Sequence, residues 1–396
     1  MSWPLVKLSD CCEVVGGATP KREVPEYWDS PDVPWITPKD VSDLACPTLE
    51  DAPEYISEAG FKSCSTSMLP KGSVLVTSRA PIGNIAIAGR DLCTNQGFKS
   101  LIPGESVDGL YLYYCMKHSS QRLQALGNGA TFKEVSKKIV EEFEIPLPPL
   151  SEQKRIASIL DKADAIRRKR QQAIQLADDF LRAVFLDMFG DPGANPKGFN
   201  EAVLGELTTG KTNNGLFRKN DEYGGSVPVA WVGELFRGNK ISFSEGANRI
   251  DPTVKEIDAY GLKYGDLLFC RSSLKLEGIG FNNVYLDDDD NALFECHLIR
   301  MSPCLEKVNP VFLNYQLRMP SIRARIFQQA KTSTMTTIDQ AGLSRIKVFV
   351  PPLDLQEEFE RRLVKVESFY SHLYKNKSLD ELAFSSISQK AFSGQL

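Results

Sequence analysis

One stretch of the sequence has the spacing of a phosphate-binding loop. Residues 205–212 read Gly-Glu-Leu-Thr-Thr-Gly-Lys-Thr and satisfy the pattern G-x-x-x-x-G-K-[ST] at every position. A working phosphate loop follows a buried strand and opens a helix, whereas here the turn signal Asn213-Asn214-Gly215 comes next. The context favours a chance match. A phosphate-loop ATPase would require nucleotide binding that a change at Lys211 abolishes.

Residue types that ligate metals or act as nucleophiles are present without the spacing that such chemistry needs. The aspartate run 287–290 favours a solvated turn over a metal cluster, and His118, His297 and His372 are far apart. Cys296 precedes His297, but no second pair of ligands lies nearby in the sequence. The nine cysteines form no C-x-x-C pair, which argues against a disulfide framework and a structural zinc site. We therefore expect no catalytic site, no metal and no bound cofactor on this chain.

The composition is that of a globular protein with two to three domains. Of 396 residues, 42% are apolar and 25% are charged, and a domain takes roughly 150 residues. The net charge of −4 means that nucleic-acid binding must come from local basic patches. No apolar run approaches the ~20 residues of a membrane span, and the N-terminus lacks the pattern of a secretory signal. These features predict no membrane association and a cytoplasmic location.

The sequence contains an internal repeat of one unit. Four landmarks recur in the same order at an offset that drifts only between 192 and 203 residues, far above the period of a solenoid. We therefore predict a duplicated domain. The matches are Leu8-Ser9-Asp10 with Leu204-Gly205-Glu206, Trp35-Ile36 with Trp231-Val232, Gly72 and Ser78-Arg79 with Gly265 and Cys270-Arg271, and Pro148-Pro149-Leu150 and Gln153 with Pro351-Pro352-Leu353 and Gln356.

Each unit begins with a globular head and ends with a helix. The heads are rich in Gly, Pro and short apolar runs, which predicts strands such as 73–77 and 85–88, with some helix around 109–126. Residues 151–190 and 354–392 are almost free of Gly and Pro, which indicates one long helix in each unit. The resulting domains are 1–150 for the first head, 151–190 for the first helix, 191–350 for the second head and 351–396 for the second helix.

Apolar residues follow a heptad seam along both predicted helices. The seam needs a partner, because a single helix cannot bury its own stripe, and antiparallel packing of the two helices between the heads supplies one. Two separate core helices are the alternative. We predict an α+β protein with two duplicated mixed α/β heads and two long antiparallel helices that form a coiled coil. The seam comprises Ile156, Ile159, Ala163, Ile166, Ala173, Ala177, Phe180 and Val184, beside a stripe of Leu160, Ile174, Leu181 and Met188, and in the second helix Phe359, Leu363, Val366, Tyr370 and Leu373.

The first head and its junction with the helix contain several short sequence motifs whose combination is specific. The junction, 145–156, reads Ile-Pro-Leu-Pro-Pro-Leu-Ser-Glu-Gln-Lys-Arg-Ile. The strings are Gly16-Gly17-Ala18-Thr19-Pro20, Glu26-Tyr27-Trp28, Val33-Pro34-Trp35-Ile36-Thr37, Ser78-Arg79-Ala80-Pro81-Ile82-Gly83-Asn84 and Thr94-Asn95-Gln96-Gly97-Phe98-Lys99. With the order head, helix, head, helix, this set resembles the DNA-specificity subunit of type I restriction-modification systems. The second head keeps Trp231, Gly265 and Arg271 but lacks the Asn-Gln-Gly-Phe and Pro-Ile-Gly-Asn strings.

The resemblance implies a non-catalytic subunit in which two target-recognition domains each read half of a bipartite, asymmetric DNA site. The helices would fix the gap between the halves. It also implies two methyltransferase (M) subunits that use S-adenosylmethionine and two restriction and translocation (R) subunits that use ATP and Mg²⁺, while this chain binds none of these ligands. The alternative is an autonomous DNA-binding scaffold without a methyltransferase partner.

Donor-bearing residues in predicted loops are the candidates for contacting double-stranded DNA. Arg79 is the leading candidate for reading a base, because arginine bonds guanine bidentately, whereas lysines such as Lys21 mainly hold phosphates. Each candidate could instead be a plain surface residue. The candidates in the first head are Thr19, Lys21, Arg22, Lys39, Arg79, Asn84, Lys99, Thr131 and Lys133, and those in the second head are Lys211, Asn213, Asn214, Arg218, Lys219, Arg271, Lys275 and Lys331.

A basic run, Arg167-Arg168-Lys169-Arg170, lies in the middle of the first predicted helix. Four consecutive residues spread over all faces of a helix. The run is therefore either a solvated face or a set of sequence-independent phosphate contacts between the half-sites.

Overall fold

The protein is described from a computed structural model of the full chain. The structure describes residues 3–42, 44, 46–79, 81–129, 133–287, 292–332 and 335–396, with the backbone alone at 220, 332 and 369–378. The chain divides into two compact units, the first Met1–Gln175 with His372–Leu396 and the second Leu176–Ser371. None of the described helices is long and apolar enough to cross a membrane.

Short strands and helices build the head of the first unit. In chain order they are β1 (Leu5–Lys7), α1 (Leu8–Cys11), β2 (Cys12–Gly16), β3 (Val33–Ile36), α2 (Pro38–Ser42), β4 (Thr48–Leu49), β5 (Glu54–Ile56), α3 (Glu58–Lys62), β6 (Val74–Val76), β7 (Ile85–Ala88), β8 (Cys93–Thr94), β9 (Lys99–Pro103), α4 (Gly109–His118), α5 (Ser120–Ala125), α6 (Lys137–Glu141) and β10 (Glu144–Pro146). One sheet has the order β2-β9-β6-β7-β4, a second has the order β5-β3-β8, and β1 pairs with β10.

The first head buries apolar side chains on both faces of its larger sheet. Val74 and Val76 of β6 pack into a cluster with Tyr111 of α4, while Leu75 packs into another with Phe98. Alternate residues of one strand therefore face two cores, as the pleat of a strand requires. The predicted strands at 73–77 and 85–88 are confirmed, and the predicted helix at 109–126 is divided into α4 and α5 at Ser119.

The head of the second unit repeats this design. Its elements are β11 (Asn200–Val203), β12 (Asn213–Asn214), β13 (Val227–Ala230), α8 (Val232–Leu235), β14 (Arg249–Ile250), α9 (Val254–Tyr260), β15 (Leu267–Cys270), β16 (Ser272–Ser273), β17 (Asn282–Val284), β18 (Leu293–Phe294), β19 (Leu298–Met301), α10 (Pro310–Arg318), α11 (Pro320–Gln329), β20 (Lys331–Thr332), β21 (Thr336–Thr337), α12 (Gln340–Ser344) and β22 (Lys347–Val350). The sheets have the orders β12-β19-β15-β17, β14-β13-β18 and β16-β21-β20, and β11 pairs with β22.

Matching backbone pairings confirm the duplication. Each head has one parallel pair in which an early strand meets a later two-residue strand. In the first head Ile36 of β3 pairs with Thr94 of β8, and in the second Ala230 of β13 pairs with Phe294 of β18. Because a parallel pair needs a long crossover connection, its recurrence at the same point in both heads marks a shared topology.

A buried glutamine at the start of each long helix is bonded in the same way. Gln153 accepts the N–H of Asp108 at 2.8 Å and donates to the carbonyls of Ser106 and Pro148. Gln356 accepts the N–H of Asn309 at 2.9 Å and donates to the carbonyls of Lys307 and Pro351. Each glutamine satisfies buried backbone groups of a head and so fixes the head to its helix.

The strand registers correct two of the predicted matches. Ile36 and Ala230 occupy equivalent positions, so Trp231 corresponds to Thr37, and the match of Trp35 with Trp231 was wrong by two residues. The match of Arg79 with Arg271 was wrong by one, because Arg271 makes the backbone bonds that Ser78 makes in the first head. A shift of one residue turns a strand side chain to the opposite face, so the two arginines are not equivalent.

Two long helices, α7 (Leu150–Phe189) and α13 (Leu353–Ser393), contribute to both units. In the first unit the start of α7 meets the end of the chain, where Arg155 donates to the Leu396 carbonyl at 2.8 Å and Arg167 pairs with Glu381 at 3.0 Å. In the second unit the rings of Phe185 and Phe359 are 5.3 Å apart. Within each unit the helices are antiparallel, as predicted.

The predicted seam of α7 is buried in part, since Ile156 and Ala177 are buried as expected. Ile166 and Phe180, two members of the seam, are 57% and 54% exposed, whereas the neighbouring stripe of Leu160, Ile174 and Leu181 is buried. Asp164, which is buried, occupies the packing face between Leu160 and Ile174. The seam was predicted from apolar residues alone, so a polar residue such as Asp164 on the packing face was not included in it. The side chains of Tyr370 and Leu373 lie outside the described part of the structure.

Candidate nucleic-acid interface

Candidate residues of the first head collect at one end of its larger sheet. Gly16 at the end of β2 lies opposite Lys99 at the start of β9, and Thr77, just beyond β6, forms a bridge with Phe98. Ile85 at the start of β7 pairs with the last residue of β6, so β7 begins at this end as well. The candidates whose loops leave or enter the sheet here are Thr19, Arg79, Asn84 and Lys99.

These side chains differ in how much freedom they retain. Arg79 is half-buried and makes no side-chain hydrogen bond or ion pair with any residue that the structure describes. Asn84 donates to the Ser42 hydroxyl at 2.7 Å, and Lys99 lies 3.7 Å from a Glu134 carboxylate oxygen. Arg79 is therefore the candidate at this end that is most available to a ligand.

Arg22 and Thr19 are held by neighbouring side chains. The Arg22 guanidinium pairs with Glu54 and lies 3.6 Å from the ring centroid of Trp28, which is a cation–π contact. Thr19 donates to the side-chain oxygen of Gln96. Within the described chain, the exposed candidates without a side-chain partner are Lys21, Lys39 and Lys133, and Thr131 lies outside the described residues.

The free guanidinium gives a direct prediction for Arg79. Arg79→Ala should weaken binding to the preferred first half-site by about 1–3 kcal/mol and relax the preference at one base position. Lys21→Ala should weaken binding to all sequences evenly, because a lysine that contacts phosphate carries no base preference. Binding to a library with a randomised first half-site measures both effects. An even loss across the library for Arg79→Ala would assign the arginine to the DNA backbone instead.

A glycine in each head allows two backbone segments to meet at the sheet end. A Cβ on Gly17 would lie 2.1 Å from the Thr94 carbonyl oxygen, and one on Gly215 would lie 2.2 Å from that of Phe294. No real Cβ comes so close to backbone, so only glycine fits at either place. The loop that carries Thr19 thus packs directly against the turn that carries Gln96.

In the second head the candidates on β12 support their own loops. The Asn213 amide donates to the Ala259 carbonyl at 3.0 Å, and Asn214 accepts from the Gln340 amide at 3.2 Å. Both asparagines are half-buried, and the loop after β12 begins at Gly215. Their contacts show a role in shaping the sheet end, and contact with DNA remains a prediction.

The remaining candidates of the second head fall into paired and unpaired groups. Arg218 pairs with Glu256 at 2.6 Å, and Lys331 pairs with Asp339 at 2.9 Å. The pair of Lys331 with Asp339 is exposed and therefore contributes little stability, so a DNA phosphate could compete with Asp339 for Lys331. The candidates that are exposed and have no side-chain partner among the described residues are Lys211, Lys219, Arg271 and Lys275.

The turn at 294–297 also lies at this end of the second head. In the sequence, Cys296 and His297 were considered only for metal or nucleophile chemistry, which their spacing does not support. The turn residues Glu295, Cys296 and His297 offer carboxylate, thiol and imidazole atoms that all lie within 4.8 Å of one another. They are equivalent to Asn95-Gln96-Gly97 of the first head, since Gly97 and His297 accept the same backbone bond. Aligning the two heads by strand register would have found the turn, because its offset of 200 lies within the range of the repeat.

The structure also settles the context of the phosphate-loop match. Residues 204–207 form a single turn of 3-10 helix, and Thr212 is followed directly by β12. A phosphate loop needs a helix whose N-terminus faces the phosphates, and none follows here. Lys211 is exposed and lies in a loop. Of the aspartate run, Asp287 lies 3.9 Å from Lys240, and 288–290 lie outside the described residues.

Ion pairs hold most of the basic run on α7. Arg167 lies 2.8 Å from Asp164, Arg168 lies 3.0 Å from the same carboxylate, and Arg170 pairs with Asp380. Lys169 is exposed. Three of the four cations thus neutralise carboxylates on the helices, which favours a structural role over phosphate contact.

Asp164 is the buried centre of this network and gives a stability prediction. Besides the two arginines it faces Lys117 at 3.7 Å, whose pKa is lowered by burial. Asp164→Ala removes the carboxylate that Lys117 and Arg168 face and leaves Arg167 with Glu381 alone. It should cost about 2 kcal/mol, less than a fully buried pair because the cations keep some solvent. Asp161→Ala, at a half-exposed position one turn earlier, should cost below about 1 kcal/mol. Urea denaturation measures both, and equal losses would contradict the assignment.

The sequence is similar to that of known specificity subunits. Residues 2–176 match the family described as "Type I restriction modification DNA specificity domain". The chain is 29% identical over 375 residues to the MjaIX specificity subunit of Methanocaldococcus jannaschii, covering 90% of this chain and 85% of that one. It is 32% identical over 157 residues to the EcoR124I/EcoR124II specificity subunit of Escherichia coli, covering 38% of each chain.

The fold agrees with a solved structure. The S subunit of a type I restriction-modification system from M. genitalium superposes with a TM-score of 0.59 at 14% identity, covering 99% of this chain and 96% of that chain. At this level of identity the likeness shows a shared fold. In sequence, the chain is similar to specificity subunits of type I restriction enzymes over most of its length.

Proposed function

We propose that this chain reads a bipartite, asymmetric DNA site, one half with each head. The proposal rests on one arrangement that occurs in both heads. At the same end of the sheet, Gly17 in the first head and Gly215 in the second allow a loop to pack closely against a turn. Because the two ends share a backbone design, they present their loops in the same way, and the side chains on those loops decide what each end binds. The proposed recognition domains are residues 1–150 and 191–350.

Different side chains at equivalent positions support an asymmetric site. Thr19 and Gln96 of the first head correspond to Phe217 and Cys296 of the second, and Phe217 is exposed. Base edges are distinguished by the donors, acceptors and apolar groups that face them. Heads with such different residues read different half-sites.

The long helices, 151–190 and 351–396, are the proposed spacer and the docking site for partner subunits. Exposed apolar residues on them support docking, including Leu176 and Phe180 of α7 in the second unit. Two M subunits would bind S-adenosylmethionine and methylate adenine at N6, and two R subunits would use ATP and Mg²⁺. These cofactors belong to the partners, so this chain contributes recognition alone.

Co-purification with the M subunit separates this function from an autonomous scaffold. Replacing Leu176 and Phe180 together by Glu should greatly reduce recovery of the M subunit, since charge is costly in an apolar interface. Gln171→Glu adds a charge on another side of the helix and should leave recovery unchanged. If the unmodified chain recovers no M subunit when both are expressed, the scaffold function is favoured instead.

A further inference from the structure

The turn at 294–297 is held rigidly at the end of the second head. Leu216 donates its N–H to the Phe294 carbonyl at 3.0 Å, and Gly215 packs without a side chain against the same peptide. On the other side, Arg271 donates its N–H to the His297 carbonyl at 2.8 Å. The turn is thus fixed by the strand-end segments on both sides, which limits its freedom to move.

Glu295 fixes the position of the His297 ring. Its side chain is only 3% exposed, and one oxygen accepts the His297 backbone N–H at 2.9 Å and lies 2.6 Å from the ring atom Nδ1. In the first head the Asn95 side-chain oxygen accepts the Gly97 N–H at 2.8 Å in the same way. The first head therefore has the same turn without a ring to hold.

The opposite edge of the His297 ring is available to a ligand. The side chain is 57% exposed, and since Nδ1 faces Glu295, the ring directs Nε2 away from the carboxylate. Burying the Glu295 carboxylate costs folding free energy. Such a cost is expected where the carboxylate holds the imidazole in position for a ligand at Nε2. At a sheet end built for DNA, that use is contact with a base edge.

We propose that His297 is a base-reading residue of the second half-site and that Glu295 is its positioning residue. The inference rests on the function proposed above. The ring would form an in-plane hydrogen bond from Nε2 to a base edge in the major groove, where donors and acceptors distinguish the four base pairs. Neighbouring Arg271 is exposed and able to hold a phosphate beside it.

A metal site is the competing use of the same three residues. Cys296 lies 3.8 Å from the ring Nδ1, a separation that two ligands of one ion can have. However, the Glu295 oxygen and Nδ1 already face each other, and a closed structural zinc site takes four protein ligands, where the described residues supply three. The contacts therefore favour base reading.

The test is selection of DNA by the full chain with its M subunit, using a library with a fixed first half-site and a randomised second half-site. His297→Ala should weaken binding to the preferred sequence about tenfold and flatten the preference at one or two adjacent positions of the second half-site. Glu295→Ala should flatten the same positions, while Glu295→Gln should keep the preference because its amide oxygen still accepts both bonds. Glu306→Ala, at an exposed carboxylate in the turn after β19, should keep the unmodified profile.

A second library, with the first half-site randomised and the second fixed, is the internal control, since its profile should be unchanged in every variant. An identical second-half profile in His297→Ala, or an even loss over all positions of both halves, would overturn the inference and leave the two-headed function intact. Loss of the second-half preference on chelation, restored by Zn²⁺, would assign the turn to a metal and overturn it as well. If the unmodified complex selects no second half-site, both the inference and the proposed function fail.

Discussion

Phe185→Ala should lower the free energy of unfolding of the second unit by about 3–5 kcal/mol, the usual cost of removing a buried aromatic ring. Phe185 is fully buried on α7. Its ring lies 5.3 Å from both Tyr315 and Phe359, 5.0 Å from Phe189 and 5.9 Å from Phe312. The ring joins α7, α13 and the head of this unit, so its loss leaves a cavity that none of the three can fill alone.

Phe180→Ala is the matched control for this prediction. Phe180 lies on the same helix five residues earlier and is 54% exposed. Its removal should change the unfolding free energy by less than about 1 kcal/mol. Urea denaturation of the full chain measures both variants, and a similar loss for the two would contradict the packing described here.

Gly17→Ala should disable the first half-site while the second continues to be recognised. The new Cβ would lie 2.1 Å from the Thr94 carbonyl oxygen and 2.3 Å from that of Asn95. Backbone cannot yield as a flexible side chain can, so the loop must lift from the turn, at a cost of about 3 kcal/mol. If the displaced loop reads DNA, affinity for the first half-site falls at least about tenfold.

Gly16→Ala controls for the loss of a glycine at this place. Its Cβ would meet nothing closer than a Lys99 side-chain carbon at 4.0 Å, and Gly16 lies in a strand, where alanine is tolerated. Stability and half-site affinity should both stay close to those of the unmodified chain. Normal first-half recognition in Gly17→Ala would show that this sheet end is not the reading surface.

The sequence predicted the large elements because their signals are local. The absence of Gly and Pro marks α7 and α13, and the Pro-Pro-Leu strings locate the glutamines that fix each head to its helix. The offset of the repeat was found from the same strings. These features depend on neighbouring residues alone, which is why they can be read without a structure.

The parts that sequence could not supply depend on register. Arg79 and Arg271 are both arginines and lie at nearly the offset of the repeat. The backbone bonds nevertheless show that Arg271 is equivalent to Ser78, one residue before Arg79. Similarly, Asp164 takes a position on the packing face of α7 that an apolar pattern does not reveal. The turn at Glu295 and His297 was considered only for metal or nucleophile chemistry, because it carries none of the strings of the first head.

Genome-wide sequencing of N6-methyladenine in the native host, with and without this gene, shows directly whether this chain specifies a bipartite site. One split motif, with one adenine in each half, should be methylated with the gene and unmethylated without it. Replacing residues 1–150 by the corresponding head of a relative should then change one half of the motif alone. An unchanged methylome, with the M subunit shown to be expressed, would contradict recognition of a bipartite site by this chain.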